Sequence, residues 1–379
     1  MPGRRAAVYP VYPVFPGYPQ VLDGDEVGSD AGRNRVKAWQ VTRHGEPEEV
    51  LELADIPRPE PGRGEILVRV LAAAANFPDV LLCRGVYQVK VPLPFTLGVE
   101  LCGEVIAAGP GVTEFTPGDR VIGDTALPHG AFAEFAIMDA SAALPAPPAL
   151  DDAEAAPFYV TYETCWLGLH RRARLAAGET LLVHAAAGGV GTGAIQVGKA
   201  AGARVIGVVG GADKVALARE VGADVVVNRH DEDFVAVVKE ATGGRGADVV
   251  FDPVGGDSFY KSTKCIAFEG RILVVGFASG DMPSAALNHA LVKNYDILGL
   301  QGRTYRFLEA EAVRDHYAQL VKLTEAGVIK TVVTERLTLA DVPDGLRRLG
   351  AGTTTGRIVF IPLPGQAGGP CANSRTWGR

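Results

Sequence analysis

The stretch "LLVHAAAGGVGTGAIQVGKAAGARVIGVVGG", residues 181–211, decides how the chain is read. Apolar residues run into a turn of small residues, an apolar-periodic stretch follows, and a β-branched run closes the segment. Strand, tight turn, helix and strand within ~30 residues is a βαβ unit. Against the pattern G-x-G-x-x-G, the turn is Ala186-Ala187-Gly188-Gly189-Val190-Gly191, with alanine in the first glycine place. Gly188 would let backbone approach a pyrophosphate, and Gly191 would let helix and strand pack closely. The N-terminus of the helix would supply N–H donors and the positive end of its dipole. Ala187, Gly188, Gly189, Val190 and Gly191 are therefore the expected dinucleotide cradle.

The end of the second strand bears on which dinucleotide. A site for NAD usually places an acid there, about 20 residues past the turn, to hold the ribose 2′-hydroxyl. This strand ends "VIGVVGGADK", with glycines at its tip and Lys214 shortly after. Arg229 follows the third strand, "VVVNRH". Two cations without an acid at the tip fit a 2′-phosphate, hence NADP(H); Asp213 in the loop is the complication, and either cation as a solvated surface residue is the plain alternative.

Downstream, "ADVVVN", "ADVVFDPV" and "GRILVVGF" alternate with helical stretches such as "ADKVALAREVG" and "DEDFVAVVKEATG". Near-continuous apolar strands separated by helices predict a parallel sheet buried on both faces. Upstream, "VKAWQV", "GEILVRVLAA", "GVELCGEVIAAG", "GDRVIG" and "GAFAEFAIM" are short β-type runs cut by Gly and Pro, the pattern of a barrel-like β unit. "LPAPPALDDAEAAPF" links the two through a helix starting near Asp151 or Asp152. After about Thr334, "TERLTL" and "GRIVFIP" return to short strands, which should complete the first unit. The expected domains are 36–157 completed by 335–364, and 158–334 for the nucleotide. The proline-rich residues 1–35 are expected to be a disordered extension and residues 365–379 a loose tail.

Bulk properties narrow the class. The chain has 379 residues, 47% hydrophobic and 21% charged, and lacks an apolar run long enough for a membrane span. A net charge of −7 argues against a nucleic-acid binder. Five scattered cysteines, without a C-x-x-C pair, predict reduced thiols in a cytoplasmic protein.

"GVELCGEVIAAGPGVTEFTPGDRVIG" (98–123), "HAAAGGVG" (184–191) and "TTGRIVF" (354–360), together with the β-rich first unit, resemble the medium-chain dehydrogenase/reductase superfamily. Within it they are similar to the zinc-free, zeta-crystallin-like quinone oxidoreductase branch, and the resemblance spans about residues 36–364. It implies an α/β architecture: a GroES-like β-barrel domain plus a Rossmann domain with a doubly wound parallel sheet. Zinc-dependent members carry G-H-E-x-x-G; the matching segment here is Gly98-Val99-Glu100-Leu101-Cys102-Gly103, with valine in the histidine place. The ligand cysteine and the four-cysteine structural lobe are also absent, and the seven histidines form no cluster with a cysteine, so no metal is expected.

The resemblance implies hydride transfer from NADPH to a quinone or an activated α,β-unsaturated carbonyl. Asn76-Phe77-Pro78-Asp79 and Gly85-Val86-Tyr87 match the branch's N-x-x-D…G-x-Y signature. Tyr87 would be the main donor to the substrate oxygen, since a free phenol keeps its proton up to about pH 10. Asn76 would orient substrate or nicotinamide, and Asp79 would hold the loop. Thr161 matches a family threonine near the nicotinamide; Val275, Gly276 and Phe277 should pass it with exposed backbone, and Tyr305 would line the substrate cleft. The family often has a basic residue just before the final strand; Gly352 stands there, with Arg357 further on. Homodimers joined through the edge strand at "NYDILGLQG" are implied as well. The rivals are an enoyl-thioester or 2-haloacrylate-like enone reductase, and a non-catalytic NADPH-binding protein.

Overall fold

A computed structural model describes residues 35–362. The expected N-terminal extension and C-terminal tail, apart from Arg35, lie outside the described residues, as does Cys371. The first eight strands are β1 Arg35–Val41, β2 Leu51–Pro57, β3 Glu65–Ala74, β4 Phe95–Thr96, β5 Glu100–Ala108, β6 Arg120–Asp124, β7 Phe135–Asp139 and β8 Leu144–Pro145. Next come β9 Thr180–His184, β10 Arg204–Val209, β11 Val225–Asn228, β12 Ala247–Asp252, β13 Ile266–Val274 and β14 Asp296–Gly299. The last described strands are β15 Val333–Thr338 and β16 Arg357–Ile361.

Strands β9–β14 form a six-stranded sheet of order β11-β10-β9-β12-β13-β14, parallel throughout. All five residues of β9 are buried, the apolar Leu181, Leu182 and Val183 between Thr180 and His184, as expected when helices cover both faces. The strand order reverses between β9 and β12, the switch point where open α/β sheets bind ligands beyond the carboxyl ends of their strands. This is the Rossmann-type sheet expected from residues 181–211.

The GroES-like part has a three-stranded sheet, β2-β1-β4, and a seven-stranded one, β15-β16-β3-β5-β6-β8 with β7 also on β3. The C-terminal strands return to it as the sequence suggests: β16 pairs antiparallel with β3, Val359 opposite Ala74. β2 and the helix Phe77–Cys83 are among the elements without a counterpart in the predicted ones. β2, "LELADIP", has a single buried residue, Leu51, and lies at the sheet edge, where backbone pairing with β1 suffices. The helix Phe77–Cys83 is too short for a periodic signal and opens with Pro78, which suits a first helical turn. The linking helix Asp152–Ala155 starts where expected, with the Asp151 carboxylate accepting the Glu154 N–H at 2.8 Å. No described helix is long and apolar enough to cross a membrane.

Candidate active site

The turn after β9 is built by two close approaches. Ala185 adopts a left-handed conformation (φ 50°) and its carbonyl accepts the Gly188 N–H at 2.8 Å. A Cβ on Gly191 would lie 2.1 Å from that same carbonyl oxygen, so only glycine lets the helix Gly189–Ala200 start so near the strand. A Cβ on Gly189 would meet Arg357 instead, 2.5 Å from its Cδ and 2.9 Å from Nη1. The first turn of a helix leaves its N–H groups without intrahelical partners, here those of Gly189 to Gly191. The Val190 carbonyl accepts from Cys165 Sγ at 3.3 Å, and the Ala187 carbonyl accepts the Gly356 N–H at 2.7 Å. Thr161, on the helix Phe158–Trp166, packs its methyl against Gly193, and its hydroxyl is buried without a hydrogen-bond partner.

The other nucleotide candidates gather at the same carboxyl edge. At the tip of β10 the Arg229 guanidinium lies over Gly210, 2.8 Å from where a Cβ would be. Lys214 is half-buried in the first turn of the next helix and donates to the Gly352 carbonyl at 2.6 Å. Val275, Gly276 and Phe277 follow β13 and are half-buried, with the Val275 N–H on the Asp252 carbonyl at 2.9 Å. Tyr305 sits on the helix Gly302–Leu308 just beyond β14, its ring beneath the Arg171 guanidinium at 5.0 Å. One residue on, Arg306 pairs with Asp124 at the end of β6, joining the two halves of the molecule.

Beneath the turn lies a buried charged network that spans both halves. The Asp79 carboxylate accepts the backbone N–H of Asn76 at 2.8 Å and of Val99 at 3.1 Å, which fixes the start of the helix Phe77–Cys83. Asn76 is 3% exposed. Its amide donates to the Ala74 carbonyl at 3.2 Å and to Glu100 Oε2 at 3.0 Å, and its Oδ1 accepts from Arg357 Nη2 at 2.8 Å. Arg357 Nη2 also reaches Glu100 Oε2 at 3.0 Å, while Glu100 Oε1 accepts the Val160 N–H at 2.7 Å. Both amide hydrogens of Asn76 are thus engaged within the protein, and orienting a ligand through them requires this network to re-pair.

Electrostatics follow from burial. Desolvation pushes the Asp79 carboxyl up to about 8, against the pull of its two N–H donors and Arg357. Glu100 is pushed up to about 7 by desolvation, again opposed by Arg357 and Asn76. Burial lowers Arg357, with Glu100 and Asp79 resisting. The four described cysteines are buried free thiols, all pushed upward by burial, Cys102 to about 12 and Cys265 to about 11.

Tyr87 follows the helix whose start Asp79 fixes. It is half-buried on the loop after the helix Phe77–Cys83 and borders a cavity of about 70 Å³ with His44, Leu82, Val91 and Phe95. At the position of the zinc-ligand histidine, Val99 packs its side chain against the core of the β unit and donates its backbone N–H to Asp79. Among the described residues no group of three or more His, Cys, Asp or Glu side chains is placed to hold a metal ion.

Sequence reasoning gave Glu100 no role and named Arg357 only as a basic residue beyond the place where the family has one. Arg357 is the lone charge of the otherwise apolar strand "RIVFI", whereas Glu100 shares "ELCGEVIAA" with Glu104 and is the fully buried one of the two. Charges on buried strands come in pairs or are bound.

Comparison with known proteins agrees with this architecture. Residues 62–148 match the alcohol dehydrogenase GroES-like domain model, and residues 189–325 match the model described as zinc-binding dehydrogenase. Quinone oxidoreductase-like protein 2 of Mus musculus is 35% identical over 325 residues, covering 86% of this chain and 91% of the relative. The crystal structure of Escherichia coli quinone oxidoreductase complexed with NADPH superposes with a TM-score of 0.80 at 33% identity, covering 86% of this chain and 100% of that one. The phthioceranic/hydroxyphthioceranic acid synthase of Mycobacterium tuberculosis is 34% identical over 325 residues, which are 84% of this chain and only 15% of the synthase. The chain belongs to the medium-chain dehydrogenase/reductase superfamily and, within it, to the quinone oxidoreductase-like oxidoreductases.

Proposed function

We propose that the protein transfers hydride from NADPH to a quinone or an activated α,β-unsaturated carbonyl, without zinc. One observation carries this reading: two buried donors without protein partners, the Thr161 hydroxyl and Arg357 Nε, flank the turn at Gly188–Gly191. Unpartnered buried donors cost free energy, and a polar ligand on the turn relieves that cost. The residues present therefore fit a dinucleotide. Its phosphates would lie on the N-terminal turn of the helix Gly189–Ala200, with Arg229 and Lys214 toward a ribose 2′-phosphate and Val275, Gly276 and Phe277 alongside the nicotinamide. The NADPH-bound Escherichia coli relative supports the choice of cofactor.

NADPH, when bound, supplies the hydride. The protein must then meet negative charge on the substrate oxygen with donors in a site that excludes water. Tyr87 is the donor in this reading, Asn76 orients through its network, Asp79 holds their loop, and Tyr305 lines the cleft. Residues 36–157 with 335–364 act as the GroES-like catalytic unit, and 158–334 as the NADP-binding unit. The assembly is a cytoplasmic homodimer joined along β14, where Leu287, Leu291 and Val292 are exposed beside the open edge strand.

A second reading, enoyl-thioester reduction, is favoured by the likeness to part of the phthioceranic/hydroxyphthioceranic acid synthase. Both are tested by NADPH oxidation, against NADH, with 1,4-benzoquinone, 9,10-phenanthrenequinone, an aliphatic enone and crotonyl-CoA, each with and without a chelator. Chelator-insensitive quinone turnover with NADPH is expected. Preference for crotonyl-CoA selects the second reading, and NADPH binding without turnover of any acceptor leaves a non-catalytic binder.

A further inference from the structure

We infer that Glu100 is a positioning residue for the dinucleotide: from β5 it fixes the Arg357 guanidinium against the turn at Gly189, so that both halves of the molecule set affinity for the cofactor's diphosphate. The inference rests on the nucleotide reading of that turn.

Three elements converge on Glu100, which is fully buried. Its carboxylate accepts from the Val160 N–H at 2.7 Å, from the Asn76 amide at 3.0 Å and from Arg357 Nη2 at 3.0 Å. Arg357 Nη2 is held a second time, by Asn76 Oδ1 at 2.8 Å. One nitrogen of the guanidinium is therefore anchored twice on the β unit, whereas Nε is buried and makes no hydrogen bond. The same side chain presses on Gly189, whose missing Cβ would stand 2.9 Å from Nη1 and 3.4 Å from Nε. Backbone pairing fixes the base of the arginine as well: Gly356 and Gly188 form a parallel bridge, and the Gly356 N–H meets the Ala187 carbonyl at 2.7 Å.

Stability does not explain such an arrangement. A buried ion pair is often replaceable by apolar residues at no loss, because desolvation offsets the attraction. A guanidinium held at one nitrogen and unpartnered at another, beside the N-terminal turn of a helix, is instead arranged for an anion. Glu100 touches none of the reacting atoms and acts through Arg357. The other charged or titratable groups near the pair are Asp79, Asp124, Tyr159 and Tyr162, none of which replaces the contact of Glu100 with Nη2.

The test compares two ligands on the full chain. NADPH carries the diphosphate; adenosine 2′-monophosphate carries only the 2′-phosphate end. Glu100→Gln is expected to weaken NADPH binding about tenfold, the worth of one charge-assisted hydrogen bond, while adenosine 2′-monophosphate binding changes less than about twofold. Arg357→Lys, which keeps the charge and loses the fork, gives the same selective loss and serves if the first variant does not fold, as judged by circular dichroism. Equal losses for both ligands mark general damage to the fold and overturn the inference, as does unchanged or tighter NADPH binding. Wild-type protein that binds neither ligand overturns the nucleotide reading itself, a result separable from the other two.

Discussion

Gly189 and Arg357 lie against each other across the junction of the Rossmann-type and GroES-like sheets, with a Cβ at position 189 falling 2.5 Å from Arg357 Cδ. Two glycines of one turn are thereby required for different reasons. Gly191 faces a backbone carbonyl that cannot move, whereas Gly189 faces a side chain that can. Gly191→Ala is expected to lower stability by roughly 2–4 kcal/mol, read as a fall in Tm. Gly189→Ala should leave Tm nearly unchanged and weaken NADPH binding severalfold in a fluorescence titration, by displacing the guanidinium. Equal Tm losses in the two variants would contradict this division.

Tyr87→Phe separates the two readings of the chemistry. Enone reduction needs a proton at the α-carbon as well as charge stabilisation at oxygen, and a positioned proton donor is worth about 10²–10⁴ in rate. kcat with an aliphatic enone should fall by about 10²-fold in the variant, and quinone reduction by less than about tenfold. Identical, small effects on both substrates would leave Tyr87 as a wall of the cavity it shares with His44 and Phe95.

Buried acids give the protein a pH-dependent stability of definite sign. Asp79 and Glu100 are raised to about 8 and about 7, from 3.8 and 4.5 for the free groups. The folded state keeps protons that the unfolded chain has released, so their contribution is present in full below the free values and is lost as pH rises through the folded ones. His129, His170 and His184 are lowered by burial and act in the opposite sense, but only below the ordinary histidine range. Between about pH 7 and 8.5 the acids dominate, and Tm should decline there. Asp79→Asn removes one titrating group, and its Tm should start lower and decline less. A flat wild-type profile would mean that neither acid holds its proton.

Cofactor choice rests on Arg229 more than on Lys214. The guanidinium of Arg229 lies over Gly210 at the tip of β10, while Lys214 already donates to the Gly352 carbonyl at 2.6 Å. Arg229→Ala should reduce the NADPH-over-NADH preference in kcat/KM by about tenfold or more, Lys214→Ala by only a few-fold. The reverse order would assign the 2′-phosphate to the lysine.

The nucleotide half was legible because its signals are local. An unbroken apolar run bounded by turn residues fits a strand buried on both faces, and small residues after it permit a helix within one turn of that strand. The returning strand at "GRIVFIP" was legible for the same reason, as a short β-branched run after the helices. What escaped was pairing across distance. Glu100 and Arg357 are separated by 257 positions, and nothing in either strand says which opposite charge it meets. Asn76 was visible as a motif residue, yet the hydrogen bonds that occupy its amide exist only because the fold brings Ala74, Glu100 and Arg357 around it. β2 escaped for another reason: at an edge, a strand needs backbone pairing and little apolar patterning.

Thr161 offers the sharpest test of the site, because its hydroxyl is buried and has no hydrogen-bond partner in the protein. Thr161→Val keeps the methyl that packs on Gly193 and replaces the hydroxyl by an apolar group of nearly equal volume. Without cofactor the variant should be more stable by roughly 1 kcal/mol, since a buried polar group lacking a partner has been removed. With NADPH the sign should invert. The ligand-induced rise in Tm should be smaller than in the wild type, because a donor or acceptor it would use is gone. A Tm that rises without cofactor and rises equally further with it would place the hydroxyl out of reach of the nicotinamide.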